Sequence, residues 1–136
     1  MTRFENERLY KEEQLIGLLL AHKDLIEKFL TSSVKIKDFH EKHQPILTAI
    51  VKAYEQRDLL TRQSYKDQLK KNAVPKERIR YEVAFNHCCI NRRTEINLFP
   101  VLLEGIKEES LRTHLNQELV KFSAKMKQGD RQKAMV

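Results

Sequence analysis

Two short stretches carry side chains that could bind a metal or attack a substrate. "DFHEKHQPIL", Asp38 to Leu47, holds His40 and His43, and "FNHCCI" holds His87, Cys88 and Cys89. Imidazole and thiolate are the usual zinc ligands, but a structural zinc site draws on paired cysteines with two to four residues between them. Histidines three apart without such a pair do not make that pattern, and adjacent cysteines do not readily point at one ion. His87 and Cys88 are formally a nucleophile and its base. Sequence neighbours on a helix point about 100° apart, so they do not form a working pair. A phosphate-cradling P-loop needs glycines at the spacing G-x-x-x-x-G-K-[ST]. The three glycines, Gly17, Gly105 and Gly129, stand nowhere near it. We therefore expect no catalytic residue, no metal and no cofactor in this chain. His43 is read as a structural residue, bonding across a loop–helix junction, and His40 as solvent-facing.

The remaining polar chemistry is cationic. Arg78, Arg80, Arg92 and Arg93 cluster in sequence, and Lys66, Lys70 and Lys71 form a second group. The formal charge is +7, which suits nucleic acid or an acidic protein partner. Phosphate attraction by such groups is non-specific, and few aromatics interleave with them to stack on bases. A solvated charged face is the simpler reading, with the four arginines as the candidate nucleic-acid contacts.

Helices must position these residues. Charged residues make up 33% of the 136, aromatics 7%, and there is no tryptophan. Leucine, isoleucine and long charged side chains with so little glycine and proline indicate an all-α domain. Residues 1–10 read as a flexible N-terminal arm, 11–95 as a helical head of about five or six helices, and 96–136 as a long helix that begins a helical hairpin. Leu15, Leu18, Leu19, Ile26, Phe29 and Leu30 recur with helical spacing, which predicts one helix from Lys11 to about Leu30. Gly17 inside it signals close approach of a neighbour. Phe39 is a core anchor in the connector "VKIKDF". A second helix spans about 41–56, with Pro45 tolerated in its first turn. Thr61 caps a third helix. A fourth starts at Pro75 with Ile79, Val83 and Phe85 facing inward, and Thr94 or Asn97 caps the last helix, about 96–128. Gly129 and Asp130 are expected to turn the chain into a returning helix. The apolar stripe Leu111, Leu115, Leu119 and Phe122 would project beyond a small head and needs a partner. These four are the candidate protein-interaction residues, and the chain is read as a fragment of a longer protein.

Cys88 and Cys89 form no disulfide framework, which fits a reducing compartment. The N-terminus lacks an apolar signal core, and "LIGLLLA" is too short to span a bilayer. The expectation is a soluble, cytoplasmic chain with no membrane partner.

In order and spacing these features resemble the N-terminal domain of DnaB-type replicative helicases, over nearly the full length. "EEQLIGLLL", Glu12 to Leu20, is similar to that family's opening helix, with Gly17 in its glycine place. "DFHEKHQPILTAI" matches through Asp38, Phe39, His43 and Ile46. "LTRQSYKDQLKKN" matches through Thr61 and Leu69, and the last helix through Asn97, Phe99 and Leu103. Three features depart from the pattern: "AVPKERIRYE" replaces a double glycine, Gln44 an arginine, and Thr61 a capping aspartate. The resemblance implies a non-catalytic collar on a hexameric ring that pairs with itself and docks primase or a helicase loader during DNA replication. ATP, magnesium and most contact with single-stranded DNA would belong to a following motor, in the cytoplasm of a bacterial or phage-infected cell. The helicase-binding C-terminal domain of DnaG-type primases is similar in pattern, and a stand-alone replisome adaptor or nucleic-acid-binding module is the further alternative.

Overall fold

The computed structural model of the chain describes residues 3–56, 61–72 and 77–134. Six α-helices follow in order: α1 (Arg3–Ala21), α2 (Asp24–Thr31), α3 (Gln44–Glu55), α4 (Arg62–Asn72), α5 (Arg78–Ile90) and α6 (Phe99–Ala134). Single 3-10 turns at Ile36–Asp38, Asn91–Arg93 and Ile96–Leu98 join them. No strand occurs among the described residues. The architecture is the expected all-α head followed by a long C-terminal helix.

The head is built around α1, which touches α2, α5, α6 and the turn Asn91–Arg93. That enclosure explains why Leu15, Ile16, Leu18 and Leu19 are all fully buried, where a helix packed on one side would bury only a stripe. Phe29 from α2 meets Phe39 edge-on, with ring centroids 5.9 Å apart. Ile46, Leu47 and Ile50 of α3, Tyr65 and Leu69 of α4, and Phe99, Leu102 and Ile106 of α6 close the same core.

Gly17 is the crossing point of α1 with the turn after α5. A Cβ there would lie 2.5 Å from both the carbonyl carbon and the carbonyl oxygen of Asn91. Only glycine allows that approach.

Several expectations need correction. Of the stretch read as an arm, residues 3–10 belong to α1, which begins at Arg3: Leu9 is buried, and Arg8 reaches Glu12 one turn on; residues 1–2 lie outside the described residues. The helix expected over 11–30 is two. It breaks at His22–Lys23 without a glycine or proline, where the amides of Leu25 and Ile26 bond the carbonyls of His22 and Lys23. The break turns Leu25, Ile26 and Phe29 back onto the core, so burial rather than local propensity decides it. Ile79 and Val83 are exposed, and Ala84, Phe85 and Cys88 form the inner face of α5. Thr94 Oγ1 bonds back to the Asn91 carbonyl at 2.7 Å and does not cap α6. Gly129 and Asp130 make no turn: α6 runs through both to Ala134. A glycine inside a helix costs only about 1 kcal/mol relative to alanine, too little to stop an established helix.

Two local signals act as read. Pro45 occupies the first turn of α3. The Ser64 amide donates to Thr61 Oγ1 at 3.2 Å, while the Thr61 amide donates to Ser64 Oγ at 3.0 Å. This reciprocal pair starts α4 as a capping box does, with serine in place of glutamate.

Candidate interaction surface

Two polar clusters hold the surface features in place: one joins α1 to the connector before α3, and the other joins that connector and α1 to α6. In the first, Glu12 and His43 are each fully buried. Glu12 Oε1 accepts from the His40 backbone N–H at 2.8 Å and lies 2.9 Å from His43 Nδ1. Its other oxygen takes the Arg8 guanidinium at 3.1 Å. A carboxylate fully removed from water needs this many donors to persist. His43 Nε2 finds no partner among the described residues. His43 is thus a hydrogen-bonding residue at a loop–helix junction. His40 is not simply solvent-facing: it is half-buried, and its Nδ1 accepts from the Lys42 amide at 3.1 Å.

The second cluster fastens α6. Asp38 Oδ2 accepts from the Lys35 amide at 2.8 Å and sits 3.5 Å from Lys107 Nζ. Asp38 Oδ1 accepts from Ser110 Oγ at 2.6 Å. Burial alone would raise the Asp38 pKa. The bonds from Ser110 and Lys35 and the Lys107 charge outweigh it and hold the carboxyl below its ordinary value. Lys107 also reaches the Ser33 carbonyl at 3.3 Å, and Lys11 pairs with Glu109 at 3.5 Å.

Beyond Ser110, every side chain described on α6 is exposed. Leu111, Leu115, Leu119 and Phe122 are each more than half exposed, and Met126 continues their line. Their intervals of four, four, three and four residues keep them on one face. The apolar stripe is therefore exposed, without a partner among the described residues, and carried on a helix rooted by Lys107, Glu109 and Ser110.

The arginines are brought together only in part. Arg92 and Arg93 are exposed and line one open groove with Leu20, Ala21, Asn86, Cys89 and Ile90. Arg92 Nε donates to the Cys89 carbonyl at 3.1 Å. Arg80 is exposed on α5 and does not line that groove. The side chain of Arg78 lies outside the described residues. Cys88 is buried, and burial, with Glu13 nearby, raises its thiol pKa well above the ordinary value. Among the described residues, no three of His, Cys, Asp and Glu gather as a metal site would require, and no helix is long and apolar enough to cross a membrane.

Sequence reasoning missed Glu12, Arg8, Lys107 and Ser110 as anchors. The spacing of Arg8 and Glu12, four apart on a helix, was a legible signal. The reach from Asp38 to Ser110 was not, since 72 residues separate them. No protein-family model matches the chain, and no curated protein or solved structure matches it either.

Proposed function

We propose that this chain is a non-catalytic assembly domain that pairs through the projecting part of α6. The observation that carries this reading is the continuous exposed apolar line Leu111, Leu115, Leu119, Phe122 and Met126 on a helix that has left its own core. Burying such side chains is worth about 1.5–3 kcal/mol each, enough to drive association of two helices. The finer reading follows the resemblance to DnaB-type helicase N-terminal domains. The chain then serves as a collar element of a hexameric replicative helicase, and the head presents a docking surface for primase or loader.

Sedimentation velocity tests the pairing. We expect concentration-dependent association that Leu115→Asp abolishes while leaving the circular dichroism of the folded chain unchanged, because Leu115 is exposed on α6. Among residues 111–127, Arg112, Lys121, Lys125 and Lys127 face a single acid, Glu118. Two such helices repel through their flanks, so added salt should strengthen the pairing by screening. A monomer at every concentration and salt refutes it. The replication assignment is tested separately by reading the gene past the Val136 codon. A P-loop motor downstream supports the helicase reading. A primase core upstream supports the primase alternative, and neither points to an adaptor.

A further inference from the structure

α5 carries two opposed apolar faces. Ala84, Phe85 and Cys88 are buried against the core. On the other side, Ile79, Val83 and Ile90 fall four and seven residues apart, which places them on one line of the helix surface. Ile79 is 78% exposed, Val83 48% and Ile90 73%. A helix that is apolar on both sides is the pattern of one enclosed by neighbours, yet the described residues cover only one side.

The charge around this line selects what covers it. Arg80 is exposed beside it, and Arg92 and Arg93 line an open groove with Ile90, at one end of the line; Ile79 and Val83 lie outside that groove. Glu82, on the same helix, is approached by Lys70 at 4.0 Å. No aromatic residue lines the groove, so it offers no platform for stacking bases. The overhang of α6 from a second copy is a poor occupant. Residues 111–127 carry four Lys or Arg against one Glu, a net +3 (4 − 1). We propose that the outer face of α5 is a docking seam for an acidic amphipathic helix of a partner protein. Its apolar residues would cover Ile79, Val83 and Ile90, and its carboxylates would meet Arg80, Arg92 and Arg93. This surface is separate from the α6 stripe and does not depend on α6 pairing.

The test uses the full chain and a fluorescent amphipathic peptide of roughly three heptads, with leucine on one face and glutamate on its flanks. A lysine-flanked twin and a single-stranded oligonucleotide serve as the other probes. We expect the glutamate peptide to bind, the lysine peptide to bind at least about tenfold more weakly, and Ile90→Asp or Val83→Asp to weaken binding about tenfold. The circular dichroism and melting temperature of both variants should be unchanged. Leu115→Asp, on α6, should leave the affinity intact. Equal binding of the two peptides, no effect of the α5 variants, no peptide binding, or tighter binding of the oligonucleotide overturns the proposal.

Discussion

Glu12 Oε1 and His43 Nδ1 lie 2.9 Å apart with neither residue exposed to solvent, joining α1 to the start of α3. Removing one partner of such a pair strands the other. Glu12→Ala should cost about 1–3 kcal/mol, the penalty of leaving a buried hydrogen-bonding group unsatisfied, read from the urea midpoint. Combining it with His43→Leu should recover part of that loss, because the stranded imidazole is removed as well. Additive losses would show that the pair is not coupled.

Gly17→Ala sets two effects against each other. Alanine gains about 1 kcal/mol of helix propensity over glycine, but its Cβ would meet the Asn91 backbone, which has no flexible end to swing away. Overpacking of this kind costs about 1–3 kcal/mol, so the urea midpoint should fall. A raised midpoint would disprove the close crossing.

Asp38 makes the root of α6 sensitive to acid. Its folded pKa lies below the unfolded value of 3.8. Its stabilisation is therefore fully present above that value and is lost as pH falls through the folded pKa. Asp38→Asn should lower stability by about 1–3 kcal/mol at neutral pH. The gap from the parent should close as pH drops below 3.8. A gap that persists unchanged in acid would show that the charge plays no part.

Cys88 should be chemically silent in the folded protein. Burial raises its pKa and hides the sulfur, and the thiolate is the reactive form. In a Cys89→Ser background, a disulfide reagent at mildly alkaline pH should label Cys88 only as fast as the fold opens. Urea should accelerate the labelling in step with unfolding. Rapid labelling without urea would place Cys88 outside the core.

What the sequence disclosed follows from the range over which each signal acts. The Thr61 cap, Pro45 in the first turn of α3, and Gly17 at a crossing are local or nearly so, and each was legible. The break at His22–Lys23 was not, because no residue there breaks a helix and the cause is burial of Leu25, Ile26 and Phe29 elsewhere in the fold. On α5 the periodicity located apolar residues correctly, but it carries no sign for inside and outside. Ile79 and Val83 read as inward with Phe85, but they lie on the opposite face, and packing chose Phe85 and Cys88. The Asp38–Ser110 bond joins distant segments and leaves no pattern in either one.

The bonds at the root of α6 also give the exposed helix its heading. From Leu111 to Ala134 it extends about 36 Å at 1.5 Å per residue. A rotation of roughly 5° about Ser110 therefore carries its tip about 3 Å. Lys107, Glu109 and Ser110 act as the mount of a pointer. Small adjustments among a few side chains in the head become displacements at the far end of about half the spacing between adjacent contact sites on a partner helix.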